Sequence, residues 1–180
     1  MRVITGSARG MSLKTLDGET TRPTTEKVKE AVFSAIQFEI EGRAVLDLFA
    51  GSGQMGIEAL SRGAERCTFV DSDKGAIKII KENVEKTGFS GKSDIVQMDS
   101  ASFLNINIKK FDIVILDPPY STGLLEKSVK NAACFVNGGG TVICEHPAGE
   151  ILPDEIDGLN KYREYKYGKI AVTIYHKGDN

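Results

Sequence analysis

Four consecutive residues, Asp117-Pro118-Pro119-Tyr120, place a carboxylate, a rigid turn and an aromatic ring side by side. That set suits methylation of a planar amine. An exocyclic amino group on a nucleobase is a poor nucleophile, because its lone pair is delocalised into the ring. If Asp117 accepts one N–H and the Pro118 carbonyl accepts the other, the nitrogen moves toward sp3 geometry and its lone pair leaves the plane. Tyr120 can stack on the base, an interaction worth about 1–3 kcal/mol. The competing reading is structural: paired prolines often mark a turn and nothing more.

The elements that must position this tetrad can be read outward from it. Phe111–Leu116 is apolar enough for a buried central strand, and the two prolines cannot continue its ladder. The tetrad therefore lies at the carboxyl end of a strand, where open α/β sheets bind ligands. Three further strands carry an acid near their ends: Asp47 in Ala44–Phe49, Asp71 in Cys67–Asp71 and Asp99 in Asp94–Asp99. One such acid could be a helix cap; four on one sheet edge read better as a ligand cleft.

The first strand runs into Ala50-Gly51-Ser52-Gly53-Gln54-Met55-Gly56, a GxGxxG loop, then a helix over Ile57–Arg62 stopped at Gly63. Glycines let a ligand approach the backbone without saying which ligand, so a nicotinamide dinucleotide stays open at this point. Asp71, about 20 residues on, stands where a ribose-binding carboxylate is expected.

Further elements are a helix over Lys74–Thr87 with Gly88 as stop, a helix from Leu124 to Ala133, and a turn at Asn137–Gly140 into strand Thr141–Cys144. Tyr162–Tyr167 and Lys169–Tyr175 read as a closing antiparallel hairpin. The alternation implies an α/β fold, a doubly wound and mostly parallel sheet covered on both faces. A small hairpin precedes it, Arg2–Thr5 with Met11–Leu16, with Arg9 on its loop. Arg22-Pro23-Thr24 opens a helix with Thr24 as N-cap, and Val28, Val32, Ile36 and Ile40 form one buried face. Arg9 and Arg22 are solvated charges or phosphate contacts.

At 180 residues, 41% apolar and 27% charged, the chain reads as one soluble domain: an extension over 1–40 and a core over 41–180. It has neither the ~20-residue apolar run of a membrane span nor a signal peptide, which points to the cytoplasm. Cys67, Cys134 and Cys144 lie in apolar segments with no metal-ligand spacing, and are read as buried free thiols. His146 and His176 have no nucleophile nearby in sequence, and no metal is expected. A net charge of −2 argues against a broad, sequence-blind nucleic-acid binder but leaves a local basic patch open.

With these residues placed, the chain resembles the RsmD family of class I S-adenosylmethionine-dependent methyltransferases, which act on guanine N2 of 16S ribosomal RNA. Three segments carry the resemblance: Arg22-Pro23-Thr24 with its helix through Phe33, Asp47–Gly63, and the Asp117–Tyr120 tetrad. It implies a Rossmann-like fold, a monomer, and 16S RNA in an assembled or assembling small subunit as partner. It implies that Asp47, Phe49, Ala50, Gly51, Ser52 and Gly53 cradle the cofactor's methionine end, that Asp71 and Ser72 meet the ribose, and that Asp99, Ser100 and Ala101 meet the adenine. Asp117, Pro118, Pro119 and Tyr120 would hold the guanine, and Arg2, Arg9, Arg22 and Thr24 would contact RNA. The tetrad is shared with amino-methyltransferases acting on adenine N6 of DNA or RNA, or on protein glutamine. An NAD-dependent oxidoreductase is the rival outside methyl transfer, and it would leave Asp47, Asp99 and the tetrad unexplained.

Overall fold

Five short apolar runs form parallel strands: β1 (Ala44–Asp47), β2 (Arg66–Asp71), β3 (Ser93–Gln97), β4 (Phe111–Leu116) and β5 (Val136–Pro147). The computed structural model describes residues 1–16, 23–106, 108–118 and 124–179. Arg22, Pro119 and Tyr120, each expected at the site, lie outside the described residues. The sheet continues in antiparallel sense through β8 (Ile170–Lys177), β7 (Leu159–Tyr167) and the two-residue β6 (Glu155–Ile156), in the order β3-β2-β1-β4-β5-β8-β7-β6.

Strand residues alternate between two cores. Val45, Phe69, Ile113, Ile115, Ile143 and Val172 face one layer, built by α1 (Pro23–Ala35), α2 (Gln54–Ser61) and α3 (Lys74–Thr87). Leu46, Leu48, Val70, Val114, Leu116 and Cys144 face the other, built by α4 (Ser100–Ile106) and α5 (Leu124–Ala133). Both faces are therefore dry, which is why these strands are near-continuous apolar runs.

Several elements depart from the sequence reading. Helix α1 starts at Pro23, so Thr24 lies in its first turn instead of capping it. It stops at Ala35, and Ile36 and Ile40 reach the core from the turn that follows. The N-terminal hairpin forms as expected but is short: one antiparallel bridge, Arg2 with Ser12, flanked by backbone bonds from Val3 to Met11 at 3.0 Å and from Leu13 to Met1 at 2.8 Å. Gly138–Gly140 lies inside β5, where a Cβ on Gly140 would meet the Asp112 carbonyl at 2.8 Å. Cys67 and Cys144 are buried, but Cys134 is exposed at the end of α5, its thiol donating to the Asn131 carbonyl at 3.2 Å.

The N-terminal segment is fastened to α2 through a buried carboxylate. Glu58, fully enclosed, accepts the Ile4 and Thr5 N–H groups at 2.8 and 3.0 Å and pairs with Lys29 at 3.5 Å and Arg62 at 2.9 Å. Lys29 Nζ also donates to the Arg2 carbonyl at 2.7 Å.

Candidate active site at the carboxyl edge of the parallel strands

The strand register gathers the acids. Asp47 ends β1 level with Phe69 of β2 and Ile115 of β4. Asp71 and Asp117 each lie two residues further along their strands, so all three belong to the same side of the sheet. With strands about 4.8 Å apart, β2 and β4 are separated by roughly 10 Å.

Asp47 is buried and accepts the Gly56 N–H at 2.9 Å. Burial pushes its carboxyl up to about 7, the Gly56 N–H pulls the other way, and neighbouring Asp71 adds to the rise. Asp71 accepts the Gly51 N–H at 2.8 Å through one oxygen and the Asp73 N–H at 2.9 Å through the other, so it holds the glycine loop closed. Ser72, beside it, is exposed.

The loop uses its glycines for two purposes. Gly53 has φ 78°, and a Cβ there would press on Ile80 at 3.3 Å. Gly56 brings α2 onto β2, because a Cβ would sit 2.3 Å from the Phe69 ring and 2.6 Å from Cys67 Sγ. The backbone of Ala50, Gly51 and Ser52 passes beneath, with the Ala50 N–H held by the Val70 carbonyl at 3.0 Å. Phe49 packs part-buried on the opposite core. Asn83, buried on α3, donates to the Ser52 carbonyl at 2.9 Å and the Lys14 carbonyl at 3.0 Å. Its place beside the apolar face of that helix was the available signal for this loop support.

Asp99 is exposed on the rim and caps α4, accepting the Ser102 N–H at 2.9 Å; that bond holds its carboxyl below the usual range. Ser100 and Ala101 open the helix it caps. The capping alternative weighed for a single acid therefore applies to Asp99.

Asp117 lines a pocket with Lys29 of α1, Gln54 of α2, Ile115 of β4, Glu145 of β5 and Val172 of β8, and buried Pro118 follows it. Gln54 Oε1 is fully buried and has no hydrogen-bond partner among the described residues. Three oxygen-bearing side chains, Asp117, Glu145 and Gln54, thus line one small space. The sequence singled out only the first. Glu145 and Gln54 look like ordinary polar residues until β5 and α2 are set beside β4.

The proposed RNA contacts are dispersed. Arg2 is exposed and pairs with Glu26 at 3.6 Å, near the pocket through the Lys29 contact to its carbonyl. Arg9 is exposed on the hairpin loop, whose Ser7 N–H reaches the Ser61 carbonyl at 2.8 Å. Ser61 is the last residue of α2 and Gln54 the first, so an eight-residue helix, about 12 Å, separates that loop from the pocket. His146 is buried, with Nε2 against Thr173 Oγ1 at 2.9 Å, and serves packing.

Comparison with known proteins fits this arrangement. The family described as Conserved hypothetical protein 95 matches residues 1–176. YlbH of Bacillus subtilis, named as a candidate rRNA methyltransferase, is 40% identical over 182 residues, covering 98% of this chain and 99% of its own. The ribosomal RNA small subunit methyltransferase D of Escherichia coli is 31% identical over 179 residues, covering 98% of this chain and 90% of its own. The solved structure of Escherichia coli YhhF, named as a candidate methyltransferase, matches with TM-score 0.90 at 31% identity, covering 100% of this chain and 99% of that one. The sheet is that of the class I methyltransferases.

Proposed function

We propose, from the premise that the chain belongs to the Conserved hypothetical protein 95 family, the RsmD family, that it methylates ribosomal RNA at the N2 amine of a guanine. The methyl donor is S-adenosylmethionine, and the substrate is 16S RNA in the assembled or assembling small subunit, met in the cytoplasm.

The residues present fit that cofactor. Asp47 is a buried carboxyl with no cation paired to it among the described residues, and burial pushes its pKa up to about 7. An ammonium group brought to it would supply the missing charge. Half-buried Gly51 brings the loop backbone to the strand ends, Asp71 presents oxygens for ribose hydroxyls, and Asp99 at the rim accepts from an amine. When bound, the cofactor supplies an electrophilic sulfonium methyl.

The protein's own work is positioning, which can supply about 7–11 kcal/mol of a barrier. Asp117 and the Pro118 carbonyl accept the two N–H bonds of the amine and turn its lone pair toward the donor. With the methyl passing from sulfur to nitrogen and the donor leaving as the thioether S-adenosylhomocysteine, the N–H would become acidic, and Asp117 would receive or relay the proton. The guanine must first leave its stack, at a cost of a few kcal/mol.

The observation that carries guanine over adenine is the set of acceptors around the pocket, Asp117, Glu145 and the orphaned Gln54 Oε1. Guanine presents N1–H and the N2 amine side by side, three donors in a row. Adenine places an acceptor, N1, beside its amine, and that acceptor would face an oxygen.

The test is labelled methyl transfer to small ribosomal subunits, followed by digestion to nucleosides. N2-methylguanosine is the expected product; N6-methyladenosine, label in protein, or no transfer overturns the reading. S-adenosylhomocysteine should raise the melting temperature and NAD should not.

A further inference from the structure

The last hairpin carries a feature that neither the cofactor edge nor the acceptor pocket uses. β7 gains one residue, Tyr162, between Lys161 opposite Tyr175 and Arg163 opposite Ile174. This bulge sets aromatic rings and a cation in an unbroken row. His176 stacks on Tyr162 with centroids 4.4 Å apart, and the Arg163 guanidinium lies 5.2 Å from the Tyr162 centroid. Arg163 Nη1 donates to the Tyr165 hydroxyl at 3.2 Å, and Tyr165 stacks beside Tyr167 at 6.5 Å.

The row begins next to the pocket. Tyr165 is level with Val172 of β8, and Val172 is level with Glu145 of β5; both of those line the pocket. Tyr165 and Tyr167 pack part-buried on the core layer that also holds Ile115, so the row and the pocket share one side of the sheet. Packing explains those two rings. It does not explain Tyr162, 51% exposed, or Arg163, exposed and with no carboxylate paired to it among the described residues. Glu164 is committed to Lys166 at 3.1 Å, while Glu39, which accepts the Thr141 hydroxyl at 2.7 Å, lies 3.8 Å from His176 at the far end of the row. Lys169, on the hairpin turn, is exposed.

We infer that this row is a stacking platform for single-stranded RNA, taking the nucleotides that flank the target base once that base is turned into the pocket. The inference rests on the proposed RNA substrate and names where that substrate's neighbouring bases go. His176 and the Arg163 guanidinium already lie against the Tyr162 ring, so a base joins the row by displacing the guanidinium from that ring, and it does so regardless of sequence because every base has a π-face.

The test is anisotropy titration of a short fluorescein-labelled oligoadenylate with the full chain, beside an abasic strand of equal charge. Tyr162→Ala and Arg163→Ala each weaken oligoadenylate binding by about fivefold or more, the loss expected for one base stack. Tyr165→Phe binds as the parent does, because the ring remains. The abasic strand binds weakly, and equally so to the parent and to Tyr162→Ala, which removes a ring but no charge. Affinity for S-adenosylhomocysteine stays unchanged in all three variants, which separates platform damage from misfolding. Unchanged oligoadenylate binding in Tyr162→Ala and Arg163→Ala overturns the inference, as does binding lost only with assembled subunits, which would assign the row to a protein. If the parent methylates no ribosomal RNA, the proposed function falls, while the oligoadenylate titration still decides the platform on its own.

Discussion

Asp47 makes the site's chemistry measurable without substrate. Its carboxyl holds a proton up to about pH 7 in the folded chain, against an ordinary 3.8. Between those values the folded state binds a proton the unfolded state has shed, so stability falls as pH rises through that window. The contribution is fully present below pH 3.8, lost above about 7, and on the order of 4 kcal/mol at most. Melting curves should therefore converge on, then fall below, those of Asp47→Asn as pH climbs from acid to neutral; parallel curves would place the titration elsewhere. Bound ammonium favours the ionised form, so S-adenosylhomocysteine affinity should increase on passing pH 7 in the parent and lose that step in Asp47→Asn. Two pocket variants divide the remaining work. Asp117→Ala should abolish turnover while leaving S-adenosylhomocysteine affinity nearly intact, as calorimetry would register. Gln54→Leu removes a buried acceptor that has no partner among the described residues, so the apo protein should melt no lower than the parent. Its methyl transfer to RNA should fall about fivefold or more, the value of about one hydrogen bond to the base.

At the scale of elements, the N-terminal segment stands or falls with Glu58. One buried carboxylate holds two backbone N–H groups and two cations, and burial lowers the Lys29 pKa against the pull of that carboxylate. Removing it strands Lys29, and breaking such a pair costs about 3–5 kcal/mol. Glu58→Ala should lower stability by that order, and amide exchange at Ile4 and Thr5 should accelerate ahead of the strands; uniform acceleration would mean the segment is not separately fastened. The same elements explain what could be read from sequence alone. β1 and β4 were legible because strands dry on both faces are continuous apolar runs, and α3 because its apolar residues repeat at the helical period before Gly88. Helix α4 was not, since two adjacent apolar residues, Phe103 and Leu104, give a seven-residue helix no periodicity. The N-terminal hairpin was legible from its alternation, which buries Val3 and Leu13, although its two arms share a single antiparallel bridge and a few backbone bonds in place of a long ladder. Among site residues, acids at strand ends announce themselves, whereas Glu145, Gln54 and Asn83 acquire a role only through the register between β4 and β5 and the approach of α2 and α3.

Seen whole, the chain approaches RNA with little charge to spend. Its net charge is −2, and several of the cations near the pocket are already paired, Arg2 with Glu26, Lys29 with Glu58 and Lys166 with Glu164. Among the described residues of the last hairpin, Arg163 and Lys169 are exposed and in no ion pair, enough for about two phosphates there. Recognition must therefore lean on stacking and on the acceptor pocket, contacts that salt does not screen. For a single strand the slope of log affinity against log salt is about −0.7 per phosphate, which gives about −1.4 here. Titrations of the labelled oligoadenylate across a potassium chloride series should return a slope of that size. A slope steeper than about −4 would require about six phosphate contacts, and so cations well beyond the last hairpin. A shallow slope also carries a consequence for the substrate: an enzyme that does not attract RNA at long range gains its selectivity from the shape in which the RNA is presented. Methyl transfer to assembled small subunits should then exceed transfer to the same RNA stripped of protein, with the difference in KM and not in kcat, because the acceptor pocket and the Asp117 carboxylate act on the base identically once it has arrived.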